Sequence, residues 1–238
     1  MIAQRKAERL PRRSAKSPVA ASSSATPADI RTDVRRGIAA YYSRKIQTYG
    51  ATPLGVDWRC VPTQELRFAQ LLRLCDFTRR FSLNDVGCGY GALVAYLEEK
   101  HSGVEVDYLG IDLSRAMISR AQGLWQRHGH AKFVCGDRSP RVADYSVASG
   151  IFNVKLAQPI AVWEAFVAET LTEMHTASSV GSAVNFMAPA SPDEPAVPEL
   201  YRVQPVRWID FCERQLGASV ELIDDYGLGE FTLLVRRS

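Results

Sequence analysis

Phe81-Ser82-Leu83-Asn84-Asp85-Val86-Gly87-Cys88-Gly89-Tyr90-Gly91 runs from a short, mostly apolar stretch into three closely spaced glycines. The first six residues predict a strand, Phe81–Val86, and Ala92–His101 has the composition of a helix, so the glycines occupy a strand-to-helix turn. Glycine there permits a sharp turn and leaves no Cβ between backbone and ligand. A dinucleotide site spaces its glycines Gly-x-Gly-x-x-Gly and holds a pyrophosphate at the helix N-terminus. Here the spacing is Gly-x-Gly-x-Gly, and Asp85 stands two residues before the first glycine. An acid at that place repels a pyrophosphate. It suits an amino-acid ammonium group, reached directly or through water. The turn points to a ligand with no phosphate and a positively charged end.

Working outward, strands and helices alternate. Val104–Ile111 predicts a strand ending in Asp112-Leu113-Ser114, and Ser114 is a good N-cap for a helix Arg115–His128. Ala131–Cys135 predicts a third strand, ending at Gly136-Asp137, and Ala143–Gly150 a fourth. A helix Ile160–Thr176, a strand Val180–Met187, a proline-rich loop 188–198 and a helix Val206–Leu216 follow. Ser219–Tyr226 and Glu230–Arg236 read as a closing hairpin. Before the glycine turn, Ala28–Ile46 and Gln64–Phe77 predict helices, the second with a stripe of Leu66, Ala69, Leu72 and Phe77. Such alternation gives an α/β fold with a doubly wound, mainly parallel sheet. The hairpin requires one strand, expected at an edge, to run antiparallel. The expected division is a basic leader at 1–28, a helical N-terminal cap at 29–62 and a Rossmann-like domain at 63–238.

Asp112 ends the second strand 21 residues after Gly91, close to the offset of about 20 at which an acid accepts hydrogen bonds from ribose hydroxyls. Asp137 ends the third strand and can accept from an exocyclic adenine amine. Three acids at successive strand ends would then face one crevice.

These segments together resemble the class I S-adenosylmethionine-dependent methyltransferase family. Asp85–Gly91 resembles its first motif, Leu109–Ser114 its second, with Met117-Ile118 on the next helix, and Phe133–Asp137 its third. Ala143–Gly150 is similar to its fourth strand. The resemblance implies a seven-stranded sheet with an antiparallel last strand and S-adenosylmethionine as cofactor. It places Asp112 on the ribose, Asp137 on the adenine, and Gly87 and Gly89 on the methionine portion. Cys88, Gly91, Leu113, Met117, Arg138 and Gly150 complete the expected cofactor site, with Arg67 as partner for the cofactor carboxylate. The chain departs from the family's nucleic-acid amino methyltransferases, because no Asp/Asn-Pro-Pro-Tyr/Phe sequence follows the fourth strand. Ile151-Phe152-Asn153 supplies no ready general base, which in-line methyl transfer does not require unless the acceptor arrives protonated. Tyr42 and Asn153 are the candidates for contact with the acceptor.

The acceptor is expected to be a small molecule methylated on nitrogen, oxygen or a carboxylate. The alternatives are a protein or RNA acceptor, an inactive cofactor-binding module, and an NAD-dependent oxidoreductase. The cover over the site is expected from residues 38–60, including Tyr41, Tyr42 and Lys45, from the segment after Gly150, and from 188–198.

Charge bears on the partner. The 238 residues carry a net charge of +3, but residues 1–28 hold six basic residues and one acid. The body is therefore slightly acidic, and a nucleic-acid partner is not expected. The leader's composition suits either a tail without targeting or an organellar transit peptide, and a cytoplasmic location is the expectation. No apolar run spans a bilayer, so no membrane partner is expected. Oligomeric state stays open between monomer and homodimer. The five cysteines show no CxxC spacing and are expected as buried reduced thiols. No metal site is expected, since His128 and His130, two apart on a helix, would point away from each other.

Overall fold

The computed structural model describes residues 27–238, with side chains from Ile30 onward; the leader expected at 1–28 lies almost wholly outside the described residues. Seven strands form one sheet, β1 (Phe81–Val86), β2 (Val106–Asp112), β3 (Ala131–Cys135), β4 (Ala143–Ala148), β5 (Ser178–Met187), β6 (Ala218–Ile223) and β7 (Glu230–Arg237). Their spatial order is β3-β2-β1-β4-β5-β7-β6. The first five are parallel, and β7 runs antiparallel to both β5 and β6. The antiparallel strand is therefore not at an edge. The hairpin folds back so that β7 slots between β5 and β6, which buries Phe231, Leu233, Leu234 and Val235 on both faces.

The helices are α1 (Pro27–Tyr49), α2 (Val61–Leu72), α3 (Ala92–Lys100), α4 (Arg115–Trp125), α5 (Ile160–Thr176) and α6 (Pro205–Leu216). Alternating strand residues divide the core. Leu83, Tyr145, Ala183 and Leu234 meet Phe68, Leu71, Leu93 and Ile118 from α2, α3 and α4. Val184, Phe186, Leu233 and Val235 meet Val34, Ile38, Trp163, Phe166 and Trp208 from α1, α5 and α6. Burying these side chains is the main driving force holding helices to sheet, about 1.5–3 kcal/mol for each large one. Ser114 caps α4 as expected, its hydroxyl accepting from the Met117 amide at 3.2 Å.

Three helices differ from expectation. The first runs on to Tyr49, three residues past Ile46. The second starts at Val61, with Pro62 in the first turn where its missing N–H costs nothing, and ends at Leu72. Its buried face is Gln64, Arg67, Phe68, Leu71 and Leu72, whereas Leu66 and Ala69 are only half-buried and Phe77 falls beyond the helix. The fourth ends at Trp125, three residues early, so His128 and His130 sit in the turn before β3 and not on a helix. The cysteines are free, but Cys60 and Cys135 are exposed, contrary to the expectation of buried thiols. Among the described residues no helix is long and apolar enough to cross a membrane.

Candidate functional site

The parallel strands all point their carboxyl ends at one cavity of about 770 Å³. Ligands of open α/β sheets bind there because the strand order reverses between β1 and β4 and leaves a crevice. Asp85, Gly87, Cys88, Gly89, Asp112, Leu113, Met117, Asp137 and Gly150 all line this cavity, together with Arg67, Tyr42 and Asn153.

The glycine turn forms its floor. Gly87 and Gly89 adopt φ of 76° and 56°. A Cβ on Gly87 would come within 2.2 Å of Ile151 Cγ2, so the turn closes only without a side chain. Gly91, expected beside the ligand, does different work. It starts α3 at φ 81°, and a Cβ there would strike Trp125 Nε1 at 2.6 Å and Phe133 Cζ at 2.9 Å. Gly91 thus lets α4 and β3 pack against the turn and does not line the cavity.

Asp112 is held by the floor itself. Its Oδ2 accepts from the Gly89 amide at 3.0 Å and its Oδ1 from the Ser114 amide at 2.7 Å. Burial raises its pKa to about 6, against those two amides, which favour the charged form. Asp85 is 4% exposed and accepts from the Tyr108 hydroxyl at 2.6 Å. Burial is the larger influence and lifts its pKa to about 7. Among the described residues no lysine or arginine pairs with either carboxylate. Buried carboxylates without a counter-cation are costly, so the cavity calls for a ligand with hydroxyl donors at Asp112 and positive charge near Asp85.

The third acid is of another kind. Asp137 is exposed, and its Oδ2 meets Arg35 Nε of α1 at 3.2 Å. Arg138 turns away from the cavity, toward Glu169 at 3.9 Å and Glu173 at 3.6 Å on α5, and does not line the site. The expected ligand role of Arg138 therefore has no support in its position.

Arg67 does line the cavity, but its guanidinium is already engaged. It donates to Glu230 Oε2 at 2.8 Å and Oε1 at 2.6 Å, and to the Thr63 carbonyl at 2.7 Å. Its face stacks on Trp58 with 3.8 Å to the ring centroid. Glu230 also accepts from Asn185 Nδ2 at 2.8 Å, and Asn185 Oδ1 accepts from the Gly150 amide at 2.7 Å. Gly150 in turn lies so close to Trp58 that a Cβ would reach 2.2 Å from its ring. Trp58, Arg67, Glu230, Asn185 and Gly150 thus form a closed brace around one wall. The carboxylate that Arg67 was expected to find in a ligand is supplied by the chain's own β7. Sequence spacing gave no signal for Glu230 or Asn185, which are 163 and 118 residues from Arg67.

The roof comes from α1, the short 3-10 turn Pro53–Val56, and residues 194–202. Ser43 of α1 bonds the Ser114 hydroxyl at 2.7 Å, which ties the roof to the floor beside Asp112. Lys45 pairs with Asp57, and its ammonium lies 5.5 Å from the Tyr41 ring. Burial raises the Tyr42 hydroxyl's pKa, which leaves it a hydrogen-bond donor and not a base. Ser149 Oγ and Asn153 Oδ1 are buried, line the cavity wall and have no hydrogen-bond partner. Trp163, by contrast, is wholly buried core.

The residues present fit adenosylmethionine. The carboxylates of Asp85 and Asp112 and the side-chain-free glycine floor suit a sulfonium amino acid joined to a ribose.

Comparison with known proteins points the same way. A family model described as a methyltransferase domain matches residues 84–179. The protein named putative methyltransferase Rv1506c, of Mycobacterium tuberculosis, is 41% identical over 167 residues, which cover 70% of this chain and 99% of that one. The fold is similar to that of magnesium protoporphyrin IX methyltransferase from Synechocystis, with TM-score 0.60, 18% identity, and coverage of 91% of this chain and 100% of that one. It is also similar to human N-acetylserotonin methyltransferase, with TM-score 0.54, 15% identity, and coverage of 87% and 67%.

Proposed function

We propose that this chain, which belongs to the methyltransferase-domain family, transfers the methyl group of S-adenosylmethionine to a small-molecule acceptor. The observation that carries the reading is the roofed cavity of about 770 Å³, a size typical of small-ligand sites. The cavity is partly enclosed, with α1 and residues 194–202 contributing to its lining, which suits a small ligand better than a polymer laid across an open surface.

In this reading Asp112 accepts from the ribose hydroxyls, Asp137 from the adenine amine, and Asp85 faces the ammonium end. Gly87 and Gly89 allow the methionine portion to approach the backbone. The cofactor, when bound, supplies an electrophilic methyl carbon. The chain's own task is alignment, because an in-line displacement depends mainly on holding nucleophile and carbon in register. Asn153 Oδ1 can accept an N–H or O–H from the acceptor, and Ser149 Oγ and the Tyr42 hydroxyl can donate to it. Among the described residues no histidine or lysine lines the cavity, so the reading favours an acceptor with a free lone pair or a readily lost proton.

The test is incubation with label in the donor methyl, offering small amines, phenols and carboxylates alongside protein and RNA. Label in one small-molecule class supports the reading, and its loss in Asn153→Ala at unchanged cofactor affinity supports the assigned contact. Label found only in protein or RNA overturns the small-molecule reading. Calorimetric binding of NADH without adenosylhomocysteine would overturn the cofactor.

A further inference from the structure

Three side chains on the far side of the molecule from the cavity roof converge where the sequence gave no hint of it. Glu98 of α3 and His128 and His130 of the turn before β3 bring their ligand atoms within 4.8 Å of one another. His128 Nδ1 lies 2.5 Å from Glu98 Oε1, and His130 Nε2 lies 3.5 Å from the same oxygen. The early end of α4 makes this possible, since the turn aims both imidazoles at α3. The expectation that they point apart assumed a helix that stops at Trp125.

We propose that Glu98, His128 and His130 form a binding site for a borderline divalent transition-metal ion such as Zn²⁺. Two imidazoles and one carboxylate are a frequent zinc donor set, with bonds of about 2.0–2.2 Å and an open fourth position for water. Tetrahedral geometry at those bond lengths separates ligand atoms by about 3.3 Å, close to the His130–Glu98 spacing. The His128–Glu98 pair must open by roughly 0.8 Å, a small rotation for a half-exposed carboxylate. The ion takes the place of the hydrogen between Nδ1 and Oε1, and His128 binds as the neutral imidazole with its hydrogen on Nε2. A shallow cavity of about 350 Å³ between α3 and β2, bordered by Glu98 and His130, gives the ion and its water an entry. His101, which also borders it, is stacked on Phe77 at 3.8 Å and is not a ligand.

None of the three ligands lines the methyltransferase cavity, so the ion has a structural part. It clamps α3 to the turn that precedes β3. The clamp reaches the glycine turn through Trp125, whose ring meets His128 edge-on at 5.0 Å and whose Nε1 donates to the Tyr90 carbonyl at 3.0 Å.

The test is calorimetric titration of the chelator-treated full chain with Zn²⁺, with a Co²⁺ absorption spectrum to identify the ligands. We expect one ion per chain, a nitrogen- and oxygen-ligated spectrum, and a rise in Tm on adding metal. Both responses should be lost in the His128→Ala/His130→Ala chain. Glu98→Gln, which keeps the shape of α3, should weaken binding at unchanged far-ultraviolet circular dichroism and decides the matter if the double variant misfolds. Overturning results are the absence of binding, binding retained in the variants, or a thiolate charge-transfer band, which would place the ion on exposed Cys60 or Cys135.

Discussion

The floor of the cavity and its braced wall are held in place by opposite means. The floor is local. Gly87, Gly89 and Asp112 lie within 26 residues of one another, and the backbone amides of Gly89 in the glycine turn and of Ser114 just after β2 fix Asp112. The wall is assembled from Trp58, Arg67, Gly150, Asn185 and Glu230, which meet only because α2, β4, β5 and β7 are stacked side by side. A local site is fixed by turn chemistry and survives changes elsewhere. An assembled wall depends on the whole sheet and answers to its stability.

The largest effect should come from breaking the wall. Arg67→Ala leaves Glu230 buried with no cation, which costs about 3–5 kcal/mol of folding stability in denaturant unfolding. Arg67→Met combined with Glu230→Gln should recover most of it, because the uncompensated charge is gone. A small loss for Arg67→Ala alone would mean that the brace does not hold the wall.

Breaking the floor should spare stability and cost binding. Asp112→Ala is expected to weaken cofactor binding by about 1–3 kcal/mol in calorimetry. In the unsubstituted chain, affinity should fall as the pH drops through about 6, where Asp112 takes up a proton and can no longer serve as a charged acceptor. The sign for the ligand-free fold is the reverse. A carboxyl whose folded pKa is raised contributes stability at low pH that is lost as pH climbs toward 6, and cofactor binding offsets that loss. Unchanged affinity in Asp112→Ala would remove the floor as the cofactor site.

The smallest effect sharpens the contrast at the third acid. Arg35→Ala removes ion pairs to the exposed Asp137 and to Glu169 of α5 and should change stability by at most about 1 kcal/mol for each pair in thermal unfolding. A larger loss would mean that α1 is locked down by these pairs and not by Val34 and Ile38.

Most of the floor was legible in the sequence, for a physical reason. Glycine spacing constrains φ, and a strand end followed by an acid constrains where that acid points, so Asp85, Gly87, Gly89 and Asp112 could be placed without any tertiary knowledge. The structure departs from the expected placement where local pattern was ambiguous. Gly91 has the same left-handed backbone as its neighbours, yet its free side faces Trp125, and nothing in the turn's sequence says which glycine faces the ligand. Arg138 lies next to a cavity residue but follows Glu169 and Glu173 outward. Arg67 was singled out for its place ahead of β1, yet its partner is on β7.

The sequence by itself determined the alternation of strands and helices, the glycine turn, the Ser114 cap and the acids at the strand ends, because each is a property of a few consecutive residues. Only the tertiary structure decided that β7 lies inside the sheet, that Arg67 spends its charge on Glu230, that Ser149 and Asn153 line the cavity wall unpartnered, and that Glu98 meets His128 and His130. Each of these is a meeting of segments far apart in the chain. Such meetings are set by the packing of whole faces and the register of strands, which no short window of sequence contains.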